Sequence, residues 1–338
     1  MKKVISYRVT EQEAGQRLEQ ILKRQLEMSP QEISQAKFRR EGICVGGSKC
    51  KVTMPVHAGD LVEVCLEEED KASDQLVPHP GELTILYEDE DVLAVYKPAG
   101  IVCHPSGGHY EDTLANIMQY YFRKKGQQVV IRLIGRLDQE TSGVVLAAKS
   151  QAAASRLNRQ KELGILKKEY LALVQDCPGD LIGTVREPIG PVRQAFDQRS
   201  GSAVISEVLS RDAIKMQVTP YGKDACTHYE VLETRAGSSL VQLYLETGRT
   251  HQIRVHMEYL GCPLLGDTLY NPKRADHFSR AALHAVRLEF CQPFTKEHIC
   301  LEARLPADFI THLREGGFTY VTGCGGTCAG DRIDRLRV

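Results

Sequence analysis

No uncharged apolar run in this 338-residue sequence approaches the roughly 18 residues that a bilayer crossing requires. The longest strings, such as Val144-Val145-Leu146-Ala147-Ala148, have strand length. The N-terminus Met1-Lys2-Lys3-Val4-Ile5-Ser6-Tyr7-Arg8 is basic but has no apolar stretch behind it, so no secretory signal is expected. A net charge excess is also missing. Lys+Arg 43 against Asp+Glu 44 leaves −1, so the whole-chain balance points neither to a polyanion binder nor to an acidic solvating protein, and charge has to be read regionally. Internal repeats are absent, as are GxGxxG and GxxxxGK[ST], which removes the usual signals for nucleotide cofactors. The eleven cysteines are odd in number and have no repeated spacing, which favours reduced thiols in a cytoplasmic protein over a disulfide framework.

What is present reads as a globular chain of two parts. The 42% hydrophobic and 26% charged fractions are ordinary for a folded protein, and the length allows two compact domains. Leu18, Ile21, Leu22 and Leu26 fall at helical spacing, and Ser29-Pro30-Gln31-Glu32 reads as an N-cap, a first-turn proline and an acidic first turn. A second short helix is therefore expected up to Gly42, followed by strands at Ile43–Val45 and Leu61–Val64. Between Lys37 and Lys51 lie five basic residues (Lys37, Arg39, Arg40, Lys49, Lys51) against the single acid Glu41. Such a cluster is either a solvated face or a phosphate-backbone site.

Glu67-Glu68-Glu69-Asp70-Lys71-Ala72-Ser73-Asp74, with Pro78 and Pro80-Gly81 behind it, reads as a linker. Beyond it, strands are expected at Leu83–Tyr87, Val92–Tyr96, Val144–Ala148, Tyr170–Val174, His228–Leu232, Val241–Leu245 and Leu283–Phe290, and helices at Thr113–Tyr121, Ala152–Lys161 and Thr250–Leu260. Their irregular order points to an α+β fold with a mixed, largely antiparallel sheet. The segment Gly135-Arg136-Leu137-Asp138-Gln139-Glu140-Thr141-Ser142-Gly143 runs through small hydroxyl residues into an apolar strand, a loop able either to present Asp138 to a pocket or to use it as a turn cap.

The N-terminal pattern, Gly15-Gln16-Arg17-Leu18, Ser29, Phe38 to Gly47 and Ala58 to Val64, resembles the S4 RNA-binding module, with Gly46-Gly47 in place of the more usual Asn-Gly turn. The rest resembles the RluA-type pseudouridine synthases. The blocks that carry this likeness are the Asp138 loop, Lys167-Lys168-Glu169-Tyr170, Thr247-Gly248-Arg249-Thr250-His251-Gln252-Ile253-Arg254-Val255-His256 and Leu264-Leu265-Gly266-Asp267. Lys97-Pro98-Ala99-Gly100, His104-Pro105-Ser106, the Gly222–Tyr229 block and Leu283-His284-Ala285 agree in order. Gly135 replaces a histidine common in that family, and residues 190–215 look like an insertion.

The resemblance implies an S4-like module at 1–68 and a catalytic domain at 82–320 with the pseudouridine synthase fold, on either side of the linker at 69–81, and the glycine-rich stretch 321–338 reads as a flexible tail. It implies isomerisation of uridine to pseudouridine in a folded RNA, with neither metal nor cofactor. Asp138 is expected as nucleophile at C1′ or as a base on the ribose, Arg249 as its buried guanidinium partner, Tyr170 as the ring packing on the uracil and Arg136 as the group filling the space of the everted base. RNA contacts are expected from Lys37, Arg39, Arg40, Lys49 and Lys51. S4-bearing relatives commonly act on large-subunit ribosomal RNA, so 23S rRNA is favoured over tRNA, and a monomer without membrane association is expected. A non-catalytic RNA-binding or assembly factor, glycosidic hydrolysis by Asp138 with Glu140, and a zinc site from Cys291, Cys300, Cys324 and Cys328 are the competing readings. His251 and His256 are five apart, which excludes an HExxH-type helix face.

Overall fold

A computed structural model of the chain describes residues 2–67, 76–192, 215–235, 237–272 and 278–319. Most of the expected linker, the bulk of the 190–215 insertion and the whole 321–338 tail with Cys324 and Cys328 therefore lie outside the described residues.

The N-terminal part contains β1 (Lys2–Arg8), α1 (Leu18–Arg24), α2 (Pro30–Ala36), β2 (Ile43–Val45), β3 (Ser48–Lys49) and β4 (Leu61–Glu67), with the sheet order β1-β4-β2-β3. The helical stripe behaves as its spacing requires, since Leu18, Ile21 and Leu22 are buried together with Val62 and Val64 of the sheet. At the start of α2 the Ser29 hydroxyl accepts from the Glu32 backbone N–H while the Glu32 carboxylate accepts from the Ser29 N–H, closing a capping box. Gly46 and Gly47 both have positive φ, +56° and +77°, which the two-residue β2–β3 turn demands and a glycine pair supplies without strain. β1 has no counterpart among the expected strands. It exists because all seven of its residues pair antiparallel with β4, far along the chain.

The second part follows as β5 (Thr84–Glu88), β6 (Val92–Lys97), α3 (Leu114–Lys124), β7 (Arg132–Leu133), β8 (Ser142–Ala148), α4 (Gln151–Glu162), β9 (Lys167–Gln175), β10 (Ile182–Val185), β11 (Ile189–Pro191), β12 (Met216–Val218), β13 (Thr227–Arg235), β14 (Ser238–Leu245), α5 (Gln252–Tyr259), β15 (Leu283–Cys291), β16 (His298–Glu302) and α6 (Ala307–Glu315). The large sheet runs β10-β13-β14-β9-β15-β8-β6-β5, with β16 on β15 and β7 on β8. Every pairing is antiparallel except β15 with β8, so the mixed, largely antiparallel α+β architecture read from the sequence is the observed one. The largely apolar β8, buried at every position, is central, as a strand covered on both faces should be. The last described part of the expected linker is pinned, because Asn116 of α3 donates to the Val77 carbonyl at 2.7 Å and accepts from the His79 N–H through its backbone oxygen.

Two features of this sheet locate the site. Ala285 of β15 faces Tyr170 of β9 on one side and Gly143 of β8 on the other, so one rung of the sheet joins the Tyr170 strand to the loop that enters β8. Gly143 has to be a glycine: a Cβ there would stand 2.2 Å from the Ala285 carbonyl oxygen. Among the described residues, no helix is long and apolar enough to cross a membrane, and the nine described cysteines are free thiols.

Candidate active site

The loop before β8, the start of β9 and the N-terminal turn of α5 converge on a cavity of about 1100 Å³. Asp138, Thr141, Lys168, Tyr170 and Arg254 line it. Asp138 sits at the first position of a turn closed by the Thr141 N–H on its carbonyl, 3.1 Å, and its side chain is 25% exposed to the cavity. The turn-cap alternative thus uses the Asp138 backbone and leaves the carboxylate to the cavity.

The cation beside that carboxylate is Arg254, with Nη1 at 3.9 Å from Asp138 Oδ2. Arg249, expected in this place, lies elsewhere: it is exposed at the cavity wall and its Nε donates to the Asp224 carbonyl at 2.8 Å. The reason is local. His251, in the left-handed region at φ +56°, starts α5, and the Gln252 side chain accepts from the Arg249 N–H, turning residue 249 away before the helix begins. Arg254 lies inside the first turn, buried, and is oriented by a bidentate pair with Asp267, Nε–Oδ2 2.7 Å and Nη2–Oδ1 2.8 Å. Asp267, wholly buried, in turn accepts from the N–H groups of Leu269 and Tyr270. Both arginines stand in one ten-residue block, and spacing within that block does not distinguish them. The downstream Asp267 was the available signal, a carboxylate placed to hold one of the two.

Burial pushes the Asp138 carboxyl above its ordinary range, with Asp267 adding to the rise, while Arg254, Lys97 and Arg136 oppose it. Lys97 acts from beneath. Fully buried, its ammonium donates to the carbonyls of Pro98, Ile101 and Gln139 at 2.9, 2.8 and 3.0 Å, tying the Lys97-Pro98-Ala99-Gly100 loop to the residue next to Asp138. In the sequence this lysine belongs to a motif but has no task that residue type or spacing reveals. Tyr170 is almost entirely buried, and burial together with the nearby Asp138 charge raises its phenol, so the hydroxyl stays protonated. Lys168, on the same strand, is pushed down to about 8 by burial. The Thr141 hydroxyl is buried against the cavity with no hydrogen-bond partner among the described residues.

The cavity wall is basic although the chain is not. Arg136, Lys161, Lys167, Arg186 and Arg249 all line it, in keeping with a polyanionic ligand. Of the N-terminal basic residues, Lys37, Arg40, Lys49 and Lys51 are exposed and Arg39 is half-buried. Phe38 stands 78% exposed among them, with the Lys37 ammonium over its ring at 4.9 Å.

Cys226, His228 and Glu246 form the one described group whose donor atoms, all within 4.8 Å of one another, could hold a metal ion. Its own hydrogen bonds close it. His228 Nε2 meets Glu246 at 2.7 Å and Nδ1 meets Thr184 at 2.9 Å, the ring stacks on Tyr244, and the Cys226 thiol is pushed up to about 11 by burial and by Glu246. Cys291 and Cys300 do not belong to such a group among the described residues.

Residues 91–259 match the RNA pseudouridylate synthase family. The chain is 37% identical over 302 residues to YhcT of Bacillus subtilis (strain 168), called an uncharacterized RNA pseudouridine synthase, covering 89% of this chain and 93% of that one. It is 34% identical over 310 residues to ribosomal large subunit pseudouridine synthase D of Pseudomonas aeruginosa, covering 88% and 90%. Among solved structures, human RNA pseudouridylate synthase domain containing 4 superposes with a TM-score of 0.53 at 24% identity over 68% of this chain and 92% of that one, a likeness of fold.

Proposed function

The chain belongs to the RNA pseudouridylate synthase family and isomerises uridine in RNA, and from that premise we propose that its substrate is large-subunit ribosomal RNA and that Asp138 carries the chemistry. The observation that supports this is the position of the Asp138 carboxylate, open to a basic cavity and 3.9 Å from a buried guanidinium. The ribosomal target is supported by similarity along nearly the full length to large-subunit synthases. The free thiols fit a reducing cytoplasm.

A uridine stacked in RNA hides C1′ and C5, so the nucleotide has to be everted, at a cost of a few kcal/mol that pocket contacts offset. Asp138, ionised against Arg254, attacks C1′ or draws a proton from the ribose as the C1′–N1 bond breaks; the uracil turns, C5 bonds to C1′ as the Asp138–C1′ bond breaks or the ribose proton is returned, C5 gives up its proton and N1 gains one. Tyr170 packs on the ring and supplies a neutral hydroxyl near the moving proton. Arg254 takes the supporting role that the sequence motif suggested for Arg249, which is left to contact RNA at the cavity wall with Arg136. Thr141 offers its unused hydroxyl to the everted nucleotide. Residues 1–68, with Lys37, Arg39, Arg40, Lys49 and Lys51, act as an S4-like grip on RNA next to a catalytic unit at 82–320.

Mapping pseudouridines in total RNA from cells with and without the gene tests the target: loss at large-subunit positions supports it, and loss confined to tRNA overturns it. Asp138→Asn is expected to abolish pseudouridine formation while RNA binding persists, and retained turnover defeats the assignment.

A further inference from the structure

The N-terminal part is not merely tethered to the catalytic part. Arg156, in the middle of α4, is 3% exposed, and it bonds across to the N-terminal part. Its Nη2 donates to the Leu26 carbonyl at 2.7 Å and its Nη1 to the Glu32 carboxylate at 3.1 Å, while Nη1 also bonds the Ala152 carbonyl of its own helix at 3.0 Å. The guanidinium lies 4.7 Å from the centre of the Phe294 ring, and Lys3 of β1 lies over the same ring at 4.2 Å. Lys3 also pairs at 2.5 Å with Asp91, itself buried and bonded by Gln292. Lys296 pairs with Glu27. These bonds are directional and come from three separate segments of the N-terminal part. The largely buried Arg156–Glu32 and Lys3–Asp91 pairs contribute little net stability but define orientation, because a displaced geometry leaves Arg156 with only the Ala152 carbonyl and Asp91 without its cation.

The path from this contact to the cavity is short and stiff. Arg156 and Lys161 are five residues apart on α4, about 7.5 Å of helix rise, and Lys161 lines the cavity. Gln160 fastens that end of α4 through a reciprocal pair with the Cys291 backbone, 2.7 and 2.8 Å, immediately before the turn that carries Phe294 and Lys296. On the other side, the Glu32 carboxylate that receives Arg156 also closes the capping box of α2, and α2 leads directly into Lys37–Arg40. One bonded chain of rigid elements thus joins the basic segment to the catalytic cavity.

We propose that Arg156 is a positioning residue that docks the N-terminal RNA grip at a set distance from Asp138, so that the enzyme selects, within a folded RNA, the uridine lying at that distance from the element the grip holds. The proposal rests on the reading of residues 1–68 as an RNA-binding module. Two contacts on one RNA at fixed separation raise the effective concentration of the correctly spaced uridine and leave its neighbours out of reach.

The test compares the full-length wild type with Arg156→Met, Arg156→Lys and, from the other side of the contact, Lys3→Ala/Glu27→Ala. Each is assayed on total RNA from cells lacking the gene and on a short hairpin carrying only the modified uridine. Amide hydrogen exchange over residues 24–32 reports docking, and thermal unfolding reports folding. Faster exchange at 24–32, a KM on the long RNA raised about tenfold with kcat unchanged, new uridines modified, and no difference between variants on the hairpin are expected, with Arg156→Lys intermediate. The two module-side substitutions give the same result if Arg156→Met proves unstable. Variants that exchange faster at 24–32 yet modify the same uridine with wild-type KM overturn the proposal, and so does Arg156→Met that exchanges as wild type. If instead the wild type itself fails to bind RNA through the 37–51 segment, shown by unchanged affinity in Arg39→Ala/Arg40→Ala, it is the reading of the module that fails while the docking stands.

Discussion

Replacing the buried Arg254–Asp267 ion pair by a neutral glutamine–asparagine pair isolates the support given to Asp138. Removing Arg254 alone would leave Asp267 buried and charged, a loss of about 3–5 kcal/mol of stability that would mask the catalytic effect. The double change Arg254→Gln/Asp267→Asn keeps hydrogen-bonding groups at both positions and takes away the cation 3.9 Å from Asp138. At that separation and an effective dielectric near 20 the attraction is about 4 kcal/mol. The Asp267 charge on the far side of the guanidinium cancels part of it, so a net loss of about 2 kcal/mol, or about 30-fold in kcat/KM, is expected. Because the free carboxyl already titrates above its ordinary range, loss of the cation moves the acid limb of the kcat/KM profile further up, and the defect narrows as pH rises. Release of tritium from RNA labelled at uracil C5 gives the rate. Arg249→Lys, an exposed change, is expected to cost less than about fivefold. Wild-type kcat/KM in the double variant, or an equal loss in Arg249→Lys, would refute the placement of Arg254.

Asp138→Asn should be inactive yet no less stable than the wild type at neutral pH, since burial disfavours the charged form; the difference should vanish as pH falls through the raised titration of Asp138, and a lower unfolding temperature at pH 7 contradicts this. His284, fully buried between the Ser142 hydroxyl and the Ala303 carbonyl, is pushed down to about 4 by burial. The unfolded chain therefore takes up the proton first, and stability should fall by on the order of 3 kcal/mol between about pH 6.5 and 4; His284→Gln should flatten that part of the denaturation profile, and an unchanged slope speaks against it. Lys97→Met takes the donor from the Pro98 and Ile101 carbonyls and leaves Gln139 only the Gly100 N–H, and should lower stability by about 3–5 kcal/mol and also lower kcat, whereas a loss below about 1 kcal/mol by denaturant titration would show that the ammonium does not hold the Asp138 loop.

Much of the local structure could be read from the chain because its causes are local. The 3.6-residue spacing of Leu18, Ile21 and Leu22 and the Ser29/Glu32 cap mark α1 and α2, and the apolar run into Ala148 marks β8. Most of the elements without an expected counterpart have weak local signals. β1 is defined by its partner strand, β3, β7, β10, β11 and β12 are two to four residues long and β16 is set by pairing with β15, whereas α6, amphipathic with Phe309 and Leu313 buried, carries an ordinary helical stripe.

The sequence alone determined the family, and through that resemblance the reaction, because the Asp138 loop and the strand bearing Tyr170 are contiguous motifs whose residue types and order survive without any fold. Which arginine meets the carboxylate, what Lys97 is for and where the basic N-terminal segment stands relative to the cavity were decided only by tertiary structure. Each depends on contacts between residues distant in the chain, Arg254 with Asp138, Lys97 with Gln139 and Arg156 with Leu26, and a buried ion takes its partner from whatever the folded sheet and helices bring within reach.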